Sequence, residues 1–286
     1  MDKAPRMKPP SPDRPAQAAP GGALAAQARA LLARARDLNS RAPRLGSIPL
    51  FSGGRRIGLL SPEACAQISA SPLSALFDFS GRRAVLTPAG SATLEETLAL
   101  CAETFHAAGF FFQWRSELLD VRDLDDETVI ARAERGLFRY FGMATRCVYA
   151  VGRDPAGGIF LCRRSLSKQV DPGLWDALAA GLIAAGEAPG TSLARELAEE
   201  AGLCAGDWRA AGEWLRLDVR RPVQEGWMHE DAFVLPVDVL EPGRVHNTDG
   251  EVSAIVCEDL AQVLARIARD EVPCDTALAL LAVLAP

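Results

Sequence analysis

Apolar and polar positions along the chain alternate between two periods, one helical and one extended. From Ala23 to Leu38, Leu24, Leu31, Leu32 and Leu38 recur at helical spacing in an alanine-rich run, which predicts a helix ending near Asn39. Pro49–Leu60 reads as a short hairpin about Ser52-Gly53-Gly54. Ser61-Pro62-Glu63 opens a second helix, with Ser as its cap and Pro in the first turn. Leu76–Phe79 and Ala84–Leu86 flank a Ser80-Gly81 turn as another hairpin. Thr93-Leu94-Glu95-Glu96 has the form of a capping box, and Leu94, Leu98, Cys101 and Phe105 line the helix that follows, with Gly109 at its end. Leu118–Val121 predicts a strand. Over Asp126–Phe141, Ile130, Ala133, Leu137 and Phe141 share one helical face, so a helix stopped at Gly142 is expected.

A second unit is expected from about residue 144. Cys147–Val151 and Ile159–Cys162 alternate about the Asp154–Gly158 turn as a hairpin. Ala177–Ala180 is a short strand, Trp208–Val219, Trp227–Leu235 and Val252–Val256 are further strands, and Leu260–Ala268 and Thr276–Leu284 are closing helices. Residues 1–22 hold six prolines and little that is apolar, and are expected to be a disordered tail. The division expected is therefore a tail (1–22), an α+β unit (23–143) and a second unit (144–286).

The chemistry concentrates between Gly181 and Leu203. Gly181 is followed by Glu187, then by Arg195-Glu196-Leu197, Glu199-Glu200 and Gly202-Leu203. Pro189 suits a first helical turn and Gly202 a left-handed helix end. Between them Glu196, Glu199 and Glu200 stand at i, i+3 and i+4, so one helix face carries three carboxylates. Like charges at that spacing destabilise a helix, and a hard divalent cation, Mg²⁺ or Mn²⁺, relieves the repulsion. Leu193, Leu197 and Ala201 form an adjoining apolar stripe for a core. Arg195, one turn before Glu199, can orient and partly neutralise it. The plain alternative for an acidic run is a solvated helix face, but the fixed Gly, Arg and closing Gly around it argue for a built site.

Composition narrows the partners. The 286 residues carry a net charge of −6 and no basic run, which speaks against general nucleic-acid binding. No 18-residue apolar stretch suggests a membrane span. The seven cysteines are scattered without a CxxC pair, so reduced thiols in a cytoplasmic protein, monomer or homodimer, are expected rather than disulfides or zinc.

The 181–203 stretch resembles the full signature of the Nudix hydrolases, G-x5-E-x7-R-E-U-x-E-E-x-G-U with U aliphatic, at every position. The resemblance implies an α/β/α sandwich with a mixed sheet, here preceded by a smaller α+β domain. It also implies a metal-dependent hydrolase of a small-molecule diphosphate, with Glu200, Glu199, Glu196 and the Gly181 carbonyl on the metal. Further stretches are similar to a subfamily in which a Nudix domain is fused to thiamine pyrophosphokinase in some fungi. These are Arg163-Arg164-Ser165 with Lys168, Pro172-Gly173 and Asp176; Trp114-Arg115-Ser116-Glu117; Glu134-Arg135 through Phe141-Gly142; and Asp249-Gly250-Glu251-Val252. The chain departs from that subfamily at Ala179-Ala180-Gly181, where A-G-G is usual, and at Leu174-Trp175-Asp176, where M-L-D is usual.

This likeness implies damaged thiamine diphosphates as substrates, released as monophosphate and phosphate. Arg163, Arg164 and Lys168 would clamp the phosphates and Trp175 or Trp227 would stack on a ring, with surface cations and core tryptophans as the plain alternatives. Glu251 is the candidate general base, carried by a loop made tight by Gly250. His229 and Glu230 alternate on one strand, so only one of them can face a site. The alternative substrate is a nucleoside diphosphate derivative such as ADP-ribose. A non-catalytic binding module is the third reading, against which the retention of every carboxylate and the lack of a basic recognition helix both speak.

Overall fold

The computed structural model describes residues 22–111, 114–167, 170–248 and 250–285, so the proline-rich opening stretch falls almost entirely outside the described residues. Helix α1 (Gly22–Leu38) ends at Asn39, whose buried side-chain amide donates to the carbonyls of Ala35, at 2.9 Å, and Cys274, at 2.7 Å. Strands β1 (Ile48–Ser52) and β2 (Arg55–Leu60) form the first hairpin, and α2 (Pro62–Ser69) starts where the Ser61 hydroxyl accepts from the Ala64 N–H at 3.1 Å. Strands β3 (Phe77–Asp78) and β4 (Ala84–Leu86) complete a four-stranded sheet in the order β2-β1-β4-β3. Helix α3 (Leu94–Ala107) begins with the expected capping box, Thr93 with Glu96.

One expectation fails here. Instead of a helix over Asp126–Phe141, the chain makes strand β6 (Val129–Glu134), paired antiparallel with β5 (Leu118–Arg122), and then the short helix α4 (Gly136–Phe141). Ala131 and Ala133 point into the core while Arg132 between them is exposed, so the period of two governs. β-branched Val129 and Ile130 suit that strand, and the helical spacing of Ile130, Ala133, Leu137 and Phe141 is a coincidence across a strand and a helix.

The rest of the chain builds an eight-stranded mixed sheet. It contains β7 (Ala144–Arg153), β8 (Ile159–Arg164), β9 (Trp175–Asp176), β10 (Ala179–Leu182), β11 (Trp208–Ala210), β12 (Leu215–Val223), β13 (Gly226–Val239) and β14 (Val252–Glu258). The main order is β11-β13-β7-β8-β14, with β13 and β7 parallel. Helix α5 (Pro189–Ala201) covers one face, and its Leu193, Leu197 and Ala201 are fully buried against Val148, Ala150, Leu178 and Ala179. Truncating Leu193 or Leu197 to Ala would cost about 2–5 kcal/mol. Helices α6 (Leu260–Ala268) and α7 (Cys274–Leu284) cover the other face. Helix α1 joins them through Ala28, Leu32 and Ala35, so the first helix in the chain packs into the core of its second half. The result is the expected α/β/α sandwich preceded by a smaller α+β region.

Two features of this sheet position the site. Strands β7 and β8 pair only at Arg153 and Ile159. Beyond that point they part, and each takes its own short partner, β10 on β7 and β9 on β8. Ladder hydrogen bonding is thus satisfied on both lips of a split in the sheet.

Candidate active site

A cavity of about 690 Å³ opens at this split. Arg164 at the end of β8 and Ala180, Gly181 and Leu182 of β10 line its lips. Glu196, Glu199 and Glu200 reach it from α5, and Glu251 from the turn before β14. Residues that precede the large sheet, among them Arg115, Glu117, Arg135 and Arg139, close the opposite wall.

The carboxylates are held individually. Glu200 accepts from the Ala180 N–H at 2.9 Å, which ties α5 to β10. Glu196 is 8% exposed, and its carboxylate lies directly against Gly181, where a Cβ on that residue would collide with it. A glycine is required here for close approach rather than for backbone freedom. Arg195 donates to Glu196 at 2.8 Å, to Glu199 at 3.1 Å and to Glu187 at 3.2 Å. Glu187 also accepts from the Ser192 hydroxyl at 2.6 Å.

One guanidinium thus serves three carboxylates, and the electrostatics show the strain. Burial pushes the Glu196 carboxyl above its ordinary range; Arg195 opposes this, and Glu199 and Glu117 add to it. Arg195 itself is held above its ordinary range, because its carboxylate partners Glu187 and Glu196 outweigh the burial that works against its charge. The Glu187 carboxyl is held low by the Ser192 hydroxyl and by Arg195.

The helix terminus explains how Glu251 arrives. Gly202 caps α5 in the left-handed conformation, and the His246 ring lies over it so closely that a Cβ would overlap the imidazole. The His246 N–H donates to the Ala201 carbonyl at 3.1 Å, and the Thr248 hydroxyl donates to the carbonyls of Ala198 and Glu199. The stretch 242–248 therefore rests on the last turn of α5. The Glu251 carbonyl then accepts from the Ser165 N–H at 2.8 Å, fixing the residue at the cavity.

An all-oxygen donor set of carboxylates and a strand carbonyl suits a hard divalent cation such as Mg²⁺ or Mn²⁺. Among the described residues no three such side chains are already drawn together in ligating geometry. The fit lies in the excess of carboxylate over guanidinium charge and in the close approach of the Glu196 carboxylate to the Gly181 backbone.

Not every sequence candidate converges. Arg164 does, but its guanidinium is already bound to Asp176 at 2.7 Å and to the Val170 carbonyl at 3.1 Å. Burial works against its charge, and Asp176 outweighs that and holds it above its ordinary range. Arg163 and Trp175 are corrections. Neither lines the cavity. Arg163 is the strand neighbour of Arg164 and so faces the other way; its Nε donates to the Gly173 carbonyl at 3.0 Å. Trp175 is 9% exposed, packed in the core with Arg266 4.2 Å from its ring. Lys168 and Asp249 lie outside the described residues.

Glu230, not His229, is the member of that strand pair on the cavity. It is 6% exposed, accepts from the Thr145 hydroxyl at 3.1 Å, and is pushed up by burial and then by Asp275. Asp275 lines the same end of the cavity, with one carboxylate oxygen buried and without a hydrogen-bond partner. Neither residue carried a motif signal; alternation along β13 alone could have offered Glu230, at even odds with its neighbour.

Residues 143–274 match the family model of the NUDIX domain. An uncharacterized Nudix hydrolase of Streptomyces coelicolor is 38% identical over 86 residues, which are 30% of this chain and 47% of that protein. Nudix hydrolase 20, chloroplastic, of Arabidopsis thaliana is 32% identical over 155 residues, 52% of this chain and 41% of that protein. That second match is longer than the span 143–274. The chain spans less than half the length of these curated relatives. Among solved structures, the crystal structure of DR0079 from Deinococcus radiodurans superposes with a TM-score of 0.45 at 20% identity, covering 59% of this chain and 100% of that one. No described helix is long and apolar enough to cross a membrane.

Proposed function

We propose that the chain is a metal-dependent hydrolase of a diphosphate bond in a small molecule. The observation that carries this reading is the Glu196 carboxylate held against Gly181, beside Glu199 and Glu200, at the mouth of a cavity large enough for a substituted diphosphate. Glu196, Glu199, Glu200 and the Gly181 carbonyl would hold the cation, Mg²⁺ or Mn²⁺, which neutralises diphosphate charge and acidifies an attacking water. Arg195 keeps the carboxylates from repelling one another out of position. Glu251 would accept the proton of the attacking water from the loop seated on α5.

For the substrate we infer a thiamine-diphosphate-like molecule, oxidised or damaged, cleaved to the monophosphate and phosphate. The likeness of the stretches 114–117 and 163–176 to the thiamine-linked subfamily supports it, and so does the acidic end of the cavity. Glu230, Asp275 and Asp171 there would favour a ring rich in N–H donors or carrying positive charge. A nucleoside diphosphate derivative such as ADP-ribose is the second reading, favoured by the size of the cavity. A competition assay separates them: oxythiamine diphosphate should show the higher kcat/KM, and a preference for ADP-ribose would reverse the assignment.

A further inference from the structure

The cavity has two walls of opposite character. The box carboxylates and Glu251 form one. Arg115, Arg135 and Arg139 form the other, and all three precede residue 143, where the Nudix match begins.

The arginine wall is built, not incidental. Glu134 is 4% exposed, and its carboxylate accepts from the Arg115 N–H at 2.7 Å and from the Gly136 N–H at 3.4 Å. This buried carboxylate locks the backbones that carry Arg115 and Arg135 side by side. Arg135 donates from its side chain to Glu117 at 2.7 Å and from its backbone to the Glu117 carbonyl at 2.9 Å. Arg139 follows one turn later on α4. It is half-buried and lines the cavity, yet among the described residues its guanidinium makes no hydrogen bond or ion pair. Glu230 is near enough to feel its charge but does not pair with it. A half-buried cation that faces a cavity and has no partner among the described residues carries a desolvation cost that an anionic ligand would relieve.

We propose that the region before the Nudix domain supplies the phosphate clamp of the site, with Arg139 as the guanidinium that takes the substrate's phosphate and Arg115 and Arg135 beside it. This rests on the cavity being a diphosphate site. It gives the α+β region a role in binding, and assigns to α4 the task expected of Arg163, Arg164 and Lys168. Arg163 faces away, Arg164 is bound to Asp176, and Lys168 lies outside the described residues.

The test is the affinity of the full chain for inorganic pyrophosphate, measured by calorimetry with Ca²⁺ in place of Mg²⁺. Arg139→Gln should weaken binding by about tenfold or more, the scale of a lost charge-assisted hydrogen bond. Arg139→Lys should retain part of the affinity, since it keeps the charge without the fork. Arg209→Gln removes the same charge on β11, where Arg209 pairs with Asp238, and should bind as wild type does. Unchanged affinity in Arg139→Gln, an equal loss in Arg209→Gln, or no pyrophosphate binding by the wild type would each overturn the proposal. Should Arg139→Gln fail to fold, an Arg139→Lys affinity equal to that of wild type overturns it. The hydrolase reading fails separately: a wild type that binds pyrophosphate through Arg139 but cleaves no diphosphate with Mg²⁺ would keep the clamp and lose the reaction.

Discussion

The Glu196 carboxylate occupies the space that a side chain on residue 181 would need. The glycine of the box is thus a steric requirement of a glutamate fifteen positions later, met where β10 and α5 touch. Gly181→Ala should therefore displace Glu196 while leaving the strand pairing of β10 with β7 intact. We expect kcat to fall by about a hundredfold, the scale of a misplaced catalytic group, with a melting temperature close to that of wild type. Steady-state kinetics beside a thermal melt check this, and full activity in the variant would mean that Glu196 need not lie where it does.

The loop seated on α5 makes a second claim. If Glu251 is the base, Glu251→Gln should lower kcat by about a hundredfold or more. KM and Mg²⁺ affinity should stay nearly unchanged, because a base acts in the transition state and a ligand acts earlier. A collapse of Mg²⁺ affinity would make Glu251 a ligand, and no change in either quantity would place it outside the reaction.

The neighbour of Glu230 on β13 gives a pH prediction. Burial, followed by Arg220, holds the His229 imidazole down to about 4, against an ordinary 6.5. The unfolded chain takes up this proton more readily than the fold does. The stability tied to His229 is therefore complete above pH 6.5 and is lost progressively as pH falls towards 4. His229→Gln should flatten that acid limb. Thermal melts of both proteins at about pH 7.5 and about pH 4.5 report it; an equal loss of melting temperature in the two would show that other groups set the acid limb.

The box was fully legible because its spacing is its chemistry. Glu196, Glu199 and Glu200 share a face by helical period alone, and Pro189 and Gly202 mark the ends of that helix. Most elements were legible for the same reason, including α6, whose bounds match the apolar spacing of Leu260–Ala268. Strand β6 was not, because two short elements in succession happened to repeat at helical intervals.

What stayed hidden depends on tertiary meeting points. Arg163 and Arg164 look equivalent in a list of residues, but a strand presents only one of two neighbours to the cavity. Trp175 is a plausible stacking partner until β9 turns it into the core. Arg139 carries no motif, and it reaches the cavity from α4, which packs against β13. The buried oxygen of Asp275 likewise belongs to α7, far along the chain from the box.

The central claim is carboxylate-held, metal-dependent cleavage of a diphosphate. The most direct measurement is phosphate release by the full chain from oxythiamine diphosphate and ADP-ribose with saturating Mg²⁺ or Mn²⁺, with chelator, and with Glu200→Gln in place of wild type. Glu200→Gln keeps an oxygen for the Ala180 N–H and removes one charge, so the fold should hold while kcat falls by about a hundredfold or more. We predict turnover with metal, none with chelator, and that loss in the variant. Undiminished turnover in Glu200→Gln at saturating metal, or turnover that survives chelation, would contradict the account.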